Sequence, residues 1–250
     1  MRHKGPSTDY LAGLWRQTLH RDMAWFVGET LLCIDSKYKK YEIIGSSVER
    51  KQRPSQYLAP SWSWASVLDP VRYISAVDPG QEALFKVLDI HINLATKDPF
   101  GSVEEGCSLH IRGKILESCW EIRTGADDTS SFILTDLIGT QQLDQEDVRG
   151  MAFAPDFAIE KPSLDQIPQT TKLYVLPITT TSGIGFDRYF ENYREMIKGS
   201  RGTLCLVLRD LCENDRVVYE RVGFVEYANF RGGIWNIDKN EYVMRDFFIV

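Results

Sequence analysis

The chain has 250 residues, 43% hydrophobic and 26% charged, which excludes wholesale disorder and allows one large domain or two small ones. A formal net charge of −6 with scattered lysines and arginines leaves no electrostatic footprint for nucleic acid. No apolar run reaches the roughly 20 residues of a membrane span. The basic start, Met1 to Pro6, has no hydrophobic stretch behind it, so no signal peptide is expected.

In chain order, Thr8 to about Gly28 reads as a helix, because Leu11, Leu14, Trp15, Thr18 and Leu19 recur at three- and four-residue steps. Ser7, Thr8 or Asp9 would cap it. Met23, Trp25 and Phe26 form a second short helical or extended piece. The segment "DSKYKKYEIIGSSVERKQRPS", with the basic groups Lys37 to Lys40 and Arg50 to Arg53, has little period and reads as a surface excursion. From Gln56 the texture turns to strands. In "FKVLDIHINLA", Leu88, Ile90, Ile92 and Leu94 alternate with Asp89, His91 and Asn93; "DPFG" then makes a turn. In "CSLHIRGKILESCWEI", Leu109, Ile111 and Ile115 alternate against His110, Arg112 and Lys114. Further strands are expected at "SFILTDLI", "KLYVLPI", "TLCLVLR", "VVYERVGFVEY" and "DFFIV", with one helix at "DRYFENYREMIKG" and a hairpin at "NFRGGIWNIDKNEY". The stretch from Thr135 to Thr170 reads as a long insertion-like loop.

Many short strands and few helices define a mainly β (α+β) protein, an antiparallel barrel or sandwich with a helical N-terminal arm. The expected organisation is residues 1–55 as helical arm and surface loop and residues 56–250 as antiparallel β domain, the two forming one compact unit. The five cysteines (Cys33, Cys107, Cys119, Cys205 and Cys212) are odd in number and contain no C-x-x-C. Buried free thiols in a reducing compartment are the simplest account, and an intracellular, cytoplasmic protein is expected.

Nucleotide, hydrolase and zincin signatures are absent: no G-x-x-x-x-G-K-[ST], no G-x-G-x-x-G after a strand, no G-x-S-x-G and no H-E-x-x-H. His91 and His110 project from the polar faces of neighbouring predicted strands, with Asp89 or Glu121 within reach if the register allows. Without a third ligand at ligand spacing, solvent-facing histidines are the simpler account. No metal and no cofactor are expected. The aromatic residues are more distinctive. In "APSWSWAS", Ala59 to Ser66, a strand would put Trp62 and Trp64 on one face and the serines on the other. Packing of these indoles on the N-terminal helix, at Trp15, competes with a ligand cavity that they would line.

The segments "YLAGLWRQTLHRDMAWFV" and "RPSQYLAPSWSWAS" together resemble the region just C-terminal to the fungal heterokaryon-incompatibility (HET) domain. "DPFGSVEEGCSLHIRG", "LYVLPI" and "YERVGFVEY" match that family's downstream β region in order, so the resemblance spans about Asp9 to Tyr227. His20 departs from it, where the family often has proline. The family's TIR-like domain, linked to cell-death signalling, opens with a Y-x-A-L-S-Y-x-W-G segment that these 250 residues lack, so none of its activity carries over. The resemblance implies a non-catalytic recognition or regulatory module. The alternative is a repurposed, cofactor-free cyclase- or pericyclase-like enzyme of fungal secondary metabolism. It would need a shaped apolar cavity and a few hydrogen-bond donors. The residues expected at a ligand are Trp15, Arg16, Trp62, Trp64, His91 and His110. The partner would accordingly be a protein or a hydrophobic small molecule, not nucleic acid or membrane.

Overall fold

The computed structural model of the chain describes residues 10–27, 30–35, 40–45, 53–74, 80–124, 130–136, 151–152, 154–157, 172–181, 202–211, 216–228 and 243–250. Its N-terminal elements are β1 (Tyr10–Leu11), β2 (Leu14–Trp15), a 3-10 turn (Arg16–Thr18), α1 (Leu19–Asp22), β3 (Trp25–Val27), β4 (Thr30–Asp35) and β5 (Lys40–Gly45). A second 3-10 turn (Trp64–Ser66) precedes β6 (Val71–Tyr73), β7 (Phe85–His91), β8 (Ser108–Thr124) and β9 (Ser130–Asp136). There follow β10 (Met151–Ala152), β11 (Ala154–Pro155), β12 (Lys172–Thr181), β13 (Gly202–Asp210), β14 (Val218–Ala228) and β15 (Val243–Ile249).

Five of these strands close a barrel in the order β8-β12-β13-β14-β15 and back to β8. Four of the contacts are antiparallel, and β14 runs parallel to β15, with Val218 opposite Phe248. Parity demands this: strand directions cannot alternate all the way around a ring with an odd number of members. The 17 residues of β8 make it the frame of the sheet. One of its edges holds β7 (at 108–113) and then β12 (at 116–119), and the other holds β15 (at 109–115) and then β9 (at 118–124).

The alternation read from "SLHIRGKI" is realised. Leu109, Ile111 and Ile115 point into the core with Leu176, Leu206, Leu208, Tyr219 and Phe247, while Arg112 faces water. Gly113 interrupts the pattern for a packing reason. A Cβ there would sit 3.0 Å from Leu176 Cδ1 and 3.3 Å from Phe85 Cβ. In β7 the register shifts between Val87 and Asp89, so Phe85 and Val87 face inward before the bulge and Ile90 after it. Of the expected face, Ile90 and Ile92 pack against the core, while Leu88 falls at the bulge and Leu94 is exposed.

The N-terminal segment joins this same core through Leu11, Leu14, Leu19, Met23 and Ala24. Its helix is shorter than the periodicity predicts: among the described residues of Thr8 to Gly28 only Leu19–Asp22 is α-helical, and Tyr10 to Trp15 is a hairpin. The turn of that hairpin places Ala12 at φ 48° and Gly13 at φ 100°. Positive φ at both central residues is the geometry a tight two-residue hairpin favours, and it stops a helix from starting there. Within the expected surface excursion, which opens at Asp35, Lys40–Gly45 forms β5 and pairs antiparallel with β4. The predicted long loop carries β10 and β11. The predicted helix at "DRYFENYREMIKG" and hairpin at "NFRGGIWNIDKNEY" lie outside the described residues, as do the caps Ser7, Thr8 and Asp9.

Candidate functional site

The "APSWSWAS" block is not a strand. Ala59 to Ser66 is a bend followed by the 3-10 turn, and serine chemistry shapes it. The Ser63 hydroxyl accepts from Ala65 N–H at 3.1 Å, and the Ser66 hydroxyl donates to the Ser63 carbonyl at 2.7 Å. The two indoles therefore diverge. Trp62 is completely buried, and its carbonyl accepts from Trp25 Nε1 at 3.3 Å. Trp64 is 38% exposed and donates its Nε1–H to the Gly13 carbonyl at 2.9 Å. Ser63 donates to the Ala12 carbonyl, so the block clasps both carbonyls of the β1–β2 turn. The N-terminal hairpin and the "APSWSWAS" block are therefore one physical unit.

Ser61 extends the clasp to the barrel. It donates to the Val250 carbonyl and accepts the backbone N–H of Arg221 at 2.9 Å. Arg221, on β14, has no exposed surface at all. Its guanidinium donates to Asp156 at 2.8 and 3.3 Å, to the Met23 carbonyl at 2.8 Å and to the Trp25 carbonyl at 2.5 Å. It also stacks 3.4 Å from the Trp25 ring centroid. Burial pulls the guanidinium below its ordinary pKa, and the Asp156 carboxylate opposes that pull. Every atom is satisfied inside the protein, so this group joins the N-terminal segment, β11 and β14 and offers nothing to a substrate.

The six residues expected at a ligand do not converge. Trp15 is 47% exposed and packs edge-on to Tyr10 at 5.4 Å and to Phe100 at 6.3 Å. Arg16 is exposed in the 3-10 turn. The β7–β8 register sets Asp89 opposite His110 and His91 opposite Ser108, so the two imidazoles are diagonal neighbours. His110 instead stacks on Phe248 of β15, with centroids 4.3 Å apart and planes at 14°. Among the described residues, no group of three His, Cys, Asp or Glu is placed to hold a metal. Cys107 and Cys205 are buried free thiols, and burial raises the Cys205 pKa above its ordinary value. The side chains of Cys33, Cys119 and Cys212 lie outside the described ones.

What sequence reasoning missed is a half-open cleft of about 380 Å³ beside the clasp, lined by none of those six residues. Its walls include Arg53, Tyr57, Cys107, Phe157, Leu211 and Glu220. Glu220 is buried and meets both Arg53 and Arg209, while the Arg53 guanidinium lies 4.6 Å from the Phe157 ring centroid. The Tyr57 hydroxyl is buried and has no hydrogen-bond partner among the described residues. Burial first, then the Cys107 thiol and the Glu105 carboxylate, raises its pKa, so it stays a proton donor. Arg53 and Tyr57 were already visible as flanking residues of the "RPSQYLAPSWSWAS" block, but the partner Glu220 lies far away in sequence.

No protein-family model, curated protein or solved structure matches the chain. Among the described residues, no helix is long and apolar enough to cross a membrane.

Proposed function

We propose that the chain is a non-catalytic recognition or regulatory module, resembling the accessory β region of fungal heterokaryon-incompatibility proteins. One contrast carries this reading. The barrel interior is filled by side chains such as Leu109, Ile111, Leu206, Tyr219 and Phe247, each at most 1% exposed. Large aromatic rings, by contrast, stand on the surface at Trp15 (47% exposed) and Phe100 (61%). A packed barrel leaves a substrate no place inside it, whereas clustered exposed aromatics are the usual anchors of a protein contact.

Proximity labelling in a filamentous fungus tests it, with the wild-type chain set against Trp15→Ala/Phe100→Ala. The variant keeps the wild-type melting temperature and loses the specifically labelled proteins. An unchanged labelled set from a folded variant would contradict the proposal. The enzyme alternative would have to use the Tyr57 cleft, whose aromatic wall is Tyr57 and Phe157. Turnover of a polyketide or terpene precursor by the purified chain would establish that alternative.

A further inference from the structure

Three aromatic rings stand together on the surface where the β1–β2 hairpin meets the loop between β7 and β8. Tyr10 and Trp15 come from β1 and β2, and Phe100 comes from the "DPFG" turn. Their centroids lie 5.0, 5.4 and 6.3 Å apart, with planes inclined at 56°, 73° and 61°, so they form a faceted surface and not a stack. Two carboxylates hold the backbone that carries them. Asp22 accepts the Trp15 N–H at 2.8 Å, and Asp98 accepts the Phe100 N–H at 3.0 Å. The rings are thus positioned before a partner arrives, which lowers the entropy cost of binding. Each of the two polar rings also keeps a donor. Among the described residues, neither the Trp15 Nε1–H nor the Tyr10 hydroxyl is hydrogen-bonded. The neighbouring charges, Arg16 and Lys97 against Asp22 and Asp98, cancel and select no charged ligand.

We propose that this surface binds a proline-rich segment of a partner protein in the polyproline II conformation; this rests on the recognition role proposed above and names the partner's chemistry. That conformation has no internal hydrogen bonds, so its carbonyls need donors from outside. Trp15 and Tyr10 supply such donors, while the ring facets take the proline rings. Other modes fit worse. β1 and β2 have two residues each, too short to seat an added strand. The i, i+4 and i+7 anchors of an amphipathic helix extend over about 10 Å, beyond a patch whose centroids are at most 6.3 Å apart.

The test follows the fluorescence anisotropy of a dye-labelled proline decamer titrated with the full chain, beside a glycine–serine decamer of the same length. The proline decamer binds saturably, and the glycine–serine decamer does not. Trp15→Ala and Phe100→Ala each weaken binding about tenfold, the loss of one aromatic anchor. Trp15→Phe and Tyr10→Phe keep a ring and delete the donor, and each weakens binding severalfold. Met244→Ala, at an exposed position of β15, leaves the affinity unchanged. Melting temperatures establish that each variant is folded, and if an alanine variant is not, the two phenylalanine variants carry the test. The proposal is overturned if the proline decamer shows no saturable binding, if both decamers bind equally, or if the folded ring and donor variants leave the affinity unchanged. Loss of labelled proteins in Trp15→Ala/Phe100→Ala, with no binding of the proline decamer to the wild-type chain, would overturn this inference alone and leave the recognition role standing. Binding of the decamer with unchanged labelling would contradict that role alone.

Discussion

Two arginine–aspartate pairs sit in the same molecule with nearly the same geometry and opposite surroundings. On the outer face of the sheet, Arg112 of β8 reaches Asp246 of β15 through two N–H donors, at 2.5 and 2.6 Å. In the interior, Arg221 of β14 reaches Asp156 beside β11 through two donors as well. The outer side chains are 53% and 41% exposed, and the inner ones 0% and 1%. Each outer partner holds the other in its charged form, raising the Arg112 pKa and lowering that of Asp246, but water competes for both. The inner guanidinium has no water, so it recruits two backbone carbonyls and an indole face as well. The lesson is that burial, not the pair itself, turns an ion pair into an architectural joint.

The largest effect follows from breaking the inner joint. Asp156→Ala leaves a buried guanidinium with no counter-charge and is expected to cost about 3–5 kcal/mol. Urea denaturation would read this as a large fall in midpoint. A local effect confined to β11 would instead leave the global transition intact. The next effect belongs to the clasp that adjoins the joint. Gly13→Ala forces a side chain onto φ 100° with its Cβ only 2.9 Å from Trp64 Nε1. A loss of about 1–3 kcal/mol is expected, with increased solvent exposure of Trp64 in fluorescence quenching. The smallest effect is at the outer pair, where Asp246→Ala should leave the unfolding midpoint unchanged within error at physiological salt. A fall comparable to that of Asp156→Ala would erase the contrast.

The mainly β architecture was legible because β8, β12, β13, β14 and β15 each carry a local signature, either alternation or a short apolar run. Alternation needs no knowledge of the partner strand. The bulge in β7 already escapes that logic, because it is a shift of register against β8 between Val87 and Asp89 that β7's own alternation does not reveal. The "APSWSWAS" block shows the limit more sharply. Its period of two fits a strand, yet Ser63 and Ser66 hydrogen-bond locally and fold the backbone into a turn. One tryptophan is sent inward and the other to the surface. Pro60 and the serines were the available signal, and the alternation of tryptophans outweighed it. Arg221 and Asp156 are 65 residues apart, and Ser61 and Val250 are 189 apart. Nothing in "YERVGFVEY" marks Arg221 as buried while Arg216 just upstream is exposed. The cleft shares that difficulty, since Arg53 and Tyr57 meet Glu220 and Phe157 only through the closed barrel and its clasp.

A double-mutant cycle on each pair, read by equilibrium urea unfolding, tests most directly the claim that the buried joint holds the N-terminal clasp to the barrel. For Arg221 and Asp156 a coupling of about 2 kcal/mol or more is expected, because each partner's burial depends on the other. For Arg112 and Asp246 no coupling should be resolved. Equal coupling in the two cycles, or none at Arg221 and Asp156, would contradict the account.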